Sequence, residues 1–267
     1  MQVFKDTWAL VTGASSGLGF EFARRLAHHG ANVVVTGRNE PVLARLSADL
    51  ARVNAVRAEH IVADLSIPGA AAELHQEITR RQIAVTHLIN NAGFGSAGPL
   101  HELDAEREQA MVRVNVEALV TLTRLVLPAL VAQRRGGVLN VASTAGFQPV
   151  PFMATYGATK AFVQSFTLAL AAELEGTGVS AMTLCPGPVR TGFQAAAGLE
   201  RPGPALAELT AEQTVERALA AYVRGERLYT PGFVNGAQAV ATKLLPRRLV
   251  SWAAVRAMNK LGRARRA

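Results

Sequence analysis

A single cysteine, Cys185, is all the thiol chemistry this 267-residue chain possesses. An intrachain disulfide is therefore excluded, and the cysteine's place in an apolar run reads as a buried thiol in a reducing compartment. With it and six scattered histidines, no ligand set of zinc-like spacing forms, and no metal is expected. Charge is also scarce, at 18% of residues against 49% apolar, which excludes a chain too polar to bury a core. No apolar run approaches the roughly 18 residues of a membrane span. The most apolar stretch, 116–132, is interrupted by Glu117, Arg124 and Pro128. The opening "MQVFKDTWALVTG" enters a strand almost at once and leaves no room for a signal peptide. These absences predict a cytoplasmic protein.

Acidic residues stop at Glu226. Beyond Gly232 stand Lys243, Arg247, Arg248, Arg256, Lys260, Arg263, Arg265 and Arg266, so the net charge of +8 resides in the tail. The remainder balances, with 20 basic and 20 acidic side chains. A neutral body without a basic stripe interleaved with aromatics argues against nucleic-acid binding. The tail "LPRRLVSWAAVRAMNKLGRARRA" admits two readings: peripheral contact of residues 236–267 with an anionic membrane, or a terminal helix packed on the core.

What is present is a regular alternation of short apolar runs and amphipathic segments. "WALVTG" predicts a strand, followed by a helix from Gly17 to His29. "ANVVVTG" is a second strand, with a helix from Pro41 to about Arg52. "AEHIVADL" is a third, with a helix at 69–81, and "VTHLIN" a fourth, with a long helix at 104–133. "GGVLNVAS" and "GVSAMTLCPG" bracket a helix at 152–175. A helix at 211–223 and a short strand near "RLYTP" complete the series. Continuous apolar strands separated by helices predict a doubly wound α/β fold with a parallel sheet of about seven strands. Residues 1–231 form one domain in this reading. Residues 232–267 form a basic helical extension rather than an independent domain.

Ligands of such sheets bind beyond the carboxyl ends of the strands. The first strand ends in "TGASSGLG", with Gly13, Ser15, Ser16, Gly17, Leu18 and Gly19 leading into a helix. Glycines there permit a tight turn and close backbone approach to a pyrophosphate, which the helix N-terminus attracts. After the second strand the acidic residue that would bind a ribose 2′-hydroxyl is missing, and Arg38 stands near its place. A guanidinium suits a 2′-phosphate, so NADP(H) is expected over NAD(H). In "TYGATK", Tyr156 and Lys160 lie one helical turn apart and share a face.

With "TGASSGLG", "NNAG", Ser143, "YGATK" and "PGPVRT" in that order, the sequence resembles the short-chain dehydrogenase/reductase family, over about residues 7–230. The resemblance implies a Rossmann-like fold and a set of roles. Tyr156 would exchange a proton with the substrate oxygen. Lys160 would lower the phenol's pKa and hold the nicotinamide ribose. Ser143 would hydrogen-bond the substrate oxygen, and Asn115 would anchor a water in a proton relay. Asp64 and Leu65 would contact adenine, while Asn91, Ala92 and Gly93 would lie against the cofactor ribose. Pro186, Gly187, Val189 and Thr191 would bind the nicotinamide carboxamide. Departures are small: Ala142 replaces a frequent second serine, and no basic residue precedes Gly17.

The expected activity is interconversion of a carbonyl and a secondary alcohol. The rival is a non-catalytic NADP(H)-binding sensor of the same fold, against which Asn115, Ser143, Tyr156 and Lys160 all survive. The segments 94–98, 146–153 and 192–210 should close over the substrate. Their apolar composition favours an apolar ketone or alcohol, with Arg190 and Arg201 available to an anionic group. The stretch "AAAGLERPGPALAEL" reads as a mobile lid. A homo-oligomer, dimer or tetramer, is expected from family habit.

Overall fold

The computed structural model describes residues 1–198, 208–244, 248–250 and 254–256, without the side chains of residues 238–240, 243 and 244. Strand and helix alternate in the order β1 (Trp8–Thr12), α1 (Gly17–His28), β2 (Asn32–Gly37), α2 (Glu40–Asn54), β3 (Ala58–Val62), α3 (Ala70–Arg80) and β4 (Val85–Asn90). Then come α4 (Ala105–Val112), α5 (Ala118–Gln133), β5 (Gly137–Val141), α6 (Ala154–Glu173) and β6 (Ser180–Leu184). The chain continues through β7 (Val189–Arg190), α7 (Phe193–Ala196), β8 (Leu209–Thr210), α8 (Ala211–Val223), β9 (Leu228–Tyr229) and α9 (Phe233–Leu244). The main sheet has seven strands in the order β3-β2-β1-β4-β5-β6-β9, every pair parallel. β7 and β8 pair as a separate two-stranded ribbon.

The strands are apolar throughout because both faces are covered. Ala9, Val11, Val33 and Val35 pack with Phe22, Leu26, Leu43, Val215 and Leu219 from α1, α2 and α8. Their neighbours Trp8, Leu10 and Val34 point the other way, onto Leu74, Leu122, Val126 and Leu170 from α3, α5 and α6. Period-two alternation thus distributes one apolar run between two helical layers.

A π-helical stretch, Arg113–Glu117, joins α4 to α5, so the segment 104–133 is one helix with an extra residue in its hydrogen-bond ladder. Pro128 sits inside α5 without ending it. By length and composition the helix Ala105–Gln133 could cross a membrane, despite its interrupting residues, yet 44% of its most apolar window is buried within the domain. The sequence pattern did not reveal the ribbon β7–β8, the short α7 or the early start of α9. Most of the predicted lid, with Arg201, lies outside the described residues, as do Arg247, Trp252, Met258, Lys260, Leu261, Arg263, Arg265 and Arg266 of the tail.

Candidate active site

Strand order reverses on either side of β1 and β4, which opens a crevice at their carboxyl ends. Each predicted site residue lies on that edge of the sheet or on a helix facing it. Gly13, Ser15, Ser16, Gly17, Leu18 and Gly19 form the turn from β1 into α1. Gly13 and Gly17 are at φ 66° and 57°, where side chains are strained. A Cβ on Gly13 would fall 2.9 Å from the Cα of Ala92, and one on Gly19 2.3 Å from the carbonyl oxygen of Gly13. Ser16 occupies the N-cap of α1 but its side chain makes no cap hydrogen bond. The first turn therefore presents its amides to the crevice, a cradle that fits a pyrophosphate.

The "NNAG" segment is tied to that turn. Asn91 Nδ2 donates to the carbonyl of Thr12 at 2.9 Å, while the amides of Asn91 and Ala92 donate to Thr12 Oγ1 at 3.0 and 2.9 Å. Arg38 is exposed at the end of β2, and its charge helps to lower the pKa of Asp64. Burial opposes that lowering, but hydrogen bonds from the hydroxyl and amide of Ser66 to Asp64, at 2.7 and 2.9 Å, outweigh it. Leu65 beside it is buried. Thr191 closes the opposite side, its Cγ2 lying 3.3 Å from where a Cβ on Gly17 would stand.

Tyr156 and Lys160 face the crevice from α6, the ammonium 5.8 Å from the phenol ring centroid. Lys160 Nζ donates to the carbonyl of Val141 at 2.8 Å, at the end of β5. The Ser143 hydroxyl accepts from the amide of Ala145 at 3.1 Å and lies close enough to the Tyr156 phenol to favour its ionised form. A Cβ on Gly93 would be 3.3 Å from Lys160 Nζ, and one on Gly95 3.3 Å from the Tyr156 ring. The segment 93–95 is thereby laid across both side chains.

The electrostatics differ from the expectation that Lys160 lowers the phenol's pKa. Burial pushes the Tyr156 phenol up to about 12, with the nearby Ser143 hydroxyl opposing, and draws Lys160 down to about 8. Desolvation, not the lysine, dominates at the phenol. Asn115 has three partner groups within the protein. Its Oδ1 accepts from the amide of Phe94 at 3.1 Å, and its Nδ2 donates to the Phe94 carbonyl at 3.0 Å and to Thr159 Oγ1 at 3.1 Å. The side chain thus holds the 93–95 segment in place.

Sequence reasoning missed the polar ladder beneath the site. Asn90 Nδ2 donates to Thr123 Oγ1 at 3.0 Å and Asn140 Oδ1 at 2.9 Å, and Asn140 Nδ2 donates to Thr167 Oγ1 at 2.9 Å. Gln164 Nε2 reaches the carbonyl of Ser143 at 2.8 Å. A polar residue at or near the last position of an otherwise apolar strand, as at Thr12, Asn90 and Asn140, was the available signal. Above Tyr156 the walls are apolar: Met111, Met153, Phe94, Val150 and Phe193 cluster with it. The Phe193 ring lies 5.3 Å from that of Tyr156.

Comparison with known proteins finds relatives and solved structures of the same fold. The sequence matches the family model described as short chain dehydrogenase over residues 7–202. Sulfoacetaldehyde reductase 2 of Chromohalobacter salexigens is 38% identical over 186 residues, 69% of this chain and 73% of that protein. A very-long-chain 3-oxoacyl-CoA reductase of Pyrenophora tritici-repentis is 36% identical over 66% of this chain, but only 52% of that longer relative is spanned. Among solved structures, a short-chain dehydrogenase from Sphingobium yanoikuyae in complex with NADPH superposes with a TM-score of 0.80 at 30% identity, covering 90% of this chain and 97% of that one. A Burkholderia phymatum short chain dehydrogenase/reductase in complex with NAD also gives 0.80, at 26% identity over 90% and 93% of the two chains.

Proposed function

The chain belongs to the short-chain dehydrogenase family, and from that premise we propose that it is an NADP(H)-dependent oxidoreductase interconverting an apolar ketone and its secondary alcohol. The observation that carries the reading is the convergence of Tyr156 and Lys160 on the 93–95 segment, with Ser143 close to the Tyr156 phenol and the uncapped start of α1 on the same edge of the sheet. Gly13, Ser15, Ser16, Gly17, Leu18 and Gly19 would cradle the pyrophosphate, Asp64 and Leu65 the adenine, and Asn91, Ala92 and Gly93 the ribose. Pro186, Gly187, Val189 and Thr191 would hold the nicotinamide carboxamide. When bound, the cofactor supplies or accepts the hydride.

Tyr156 handles the proton. Its hydroxyl and that of Ser143 would receive the substrate oxygen, and the phenol donates its proton as a carbonyl is reduced. Lys160 holds the ribose hydroxyls and favours the phenolate when the reaction runs toward oxidation. Arg38 supports NADP(H): the end of β2 offers a guanidinium and no carboxylate until Glu40. The apolar walls support an apolar substrate, and Arg190 is engaged by Glu208 at 3.2 Å. Ketones with bulky apolar substituents and 3-oxoacyl thioesters fit those walls. A panel of both, followed by NADPH absorbance, tests the reading; no turnover of any member with NADPH or NADH would sink it.

Two assemblies belong to the same reading. Val112, Val131, Phe162 and Leu168 on α4, α5 and α6 are each exposed, apolar area suited to contact with a second copy; sedimentation at micromolar concentration should give at least a dimer. Phe233 is 91% exposed, and Leu249 and Val255 are exposed beside Arg248 and Arg256, which supports peripheral contact with anionic lipid. Vesicles containing phosphatidylserine should retain the full chain and release it on deletion of residues 236–267.

A further inference from the structure

Asn235, in the extension beginning at Gly232, reaches the segment that follows β6. Asn235, in the first turn of α9, is 3% exposed, and its Nδ2 donates to the carbonyl of Pro231 at 3.0 Å. A Cβ built on Gly187 would fall 2.4 Å from Asn235 Oδ1 and 2.5 Å from both Cγ and Nδ2. Three carboxamide atoms nearly equidistant from one point place the face of the amide against the main chain of Gly187. Gly187 is absent from the positive-φ glycines, so it is required here for the approach and not for its backbone angles.

The neighbouring residues are held from other directions. The amide of Cys185 donates to the carbonyl of Tyr229 at 2.8 Å, and the amide of Thr144 donates to the carbonyl of Pro186 at 2.9 Å. The segment that opens with Pro186 and Gly187 is therefore clamped between the corner of β9 and α9 and the turn carrying Ser143.

We infer that Asn235 is a positioning residue for hydride transfer. By resting on Gly187 it sets the height of the Pro186–Thr191 segment, and hence of the nicotinamide, relative to Ser143 and Tyr156. This rests on the cofactor and site proposed above. It makes the start of the extension part of the catalytic unit. A misplacement of about 1 Å in reacting groups costs on the order of 100-fold in rate.

The test uses the full chain with Asn235→Ala, Gly187→Ala and the double variant, measuring turnover, NADPH binding by fluorescence titration and thermal midpoint. In Asn235→Ala, kcat should fall roughly 10- to 100-fold while the carbonyl KM and the thermal midpoint stay near wild type. Gly187→Ala should lose activity because its methyl meets the carboxamide, and the double variant should recover part of that loss. Should Asn235→Ala fold poorly, Asn235→Asp keeps the shape but cannot donate to Pro231, and its kcat should fall likewise. Wild-type kcat in Asn235→Ala or Asn235→Asp, or a double variant no better than the product of the singles, overturns the inference. If wild type binds NADPH and Tyr156→Phe lowers kcat by about 10² or more, such a result sinks this inference alone. A wild type that binds no NADPH sinks both readings.

Discussion

At Tyr156, burial and the nearby Ser143 hydroxyl oppose each other, and burial wins. With its phenol pushed up to about 12 by burial, Tyr156 is a loaded proton donor at every pH near neutrality. Carbonyl reduction should accordingly be nearly flat from pH 6 to about 7.5 as far as Tyr156 is concerned. Oxidation of the alcohol requires the phenolate, so its rate should climb as pH rises, and a pH–rate profile in both directions checks the asymmetry. Tyr156→Phe should cost about 10² to 10⁴ in kcat with NADPH affinity nearly unchanged by fluorescence titration. At Arg38, loss of a charge-assisted bond of about 1.5–3 kcal/mol should raise the NADPH KM of Arg38→Ala roughly 10- to 100-fold. The NADH KM should hardly move, and equal effects on the two cofactors would remove Arg38 from the 2′-phosphate.

These residues were legible because each lies in a short, ordered pattern: a tyrosine one turn before a lysine, a glycine turn after the first strand. Their supports were not. The bond from Lys160 to Val141 and the pairing of Asn90 with Asn140 depend on which strands are neighbours and in what register. β4 and β5 align Asn90 with Asn140, a fact no local spacing contains.

Among the elements, the π-helical stretch from Arg113 to Glu117 explains why Asn115 can turn inward. The extra residue rotates the helix and lets one side chain serve Phe94 and Thr159 together. Removing it in Asn115→Ala leaves three polar groups without that partner. We expect destabilisation of about 2–4 kcal/mol by urea unfolding, as unsatisfied buried groups cost about 1–3 kcal/mol each. Turnover should fall further than the folded fraction does. A variant with unchanged stability and only a lost solvent isotope effect would favour a relay role over this clamp. Strong apolar periods made α1, α3 and α8 readable to within a residue or two. β7 and β8, at two residues each, have no period to read, and α9 was hidden because the proline at 246 suggested a later helix start.

For the molecule as a whole, the doubly covered sheet creates an acid-sensitive seam far from the crevice. His87 on β4 is 1% exposed, its Nδ1 3.0 Å from the Tyr222 hydroxyl and its ring 5.0 Å from that of Phe4. Burial draws its pKa from the usual 6.5 down to about 4. The unfolded chain therefore binds a proton near pH 6.5 that the folded chain refuses until about pH 4. Stability must fall as pH drops through that window, by about 3 kcal/mol in total. His29 and His75, also lowered by burial, add to the same slope. The carboxylates act later: Glu77 is held near 2 by Arg80 and Arg81, so the stability it adds is present above its ordinary 4.5 and is lost as pH falls below that. Urea unfolding at intervals from pH 7 to 4.5 isolates the imidazoles, and His87→Gln should flatten much of the decline. An unchanged slope in that variant would show that the seam tolerates a charged imidazole, and would move acid sensitivity elsewhere in the sheet.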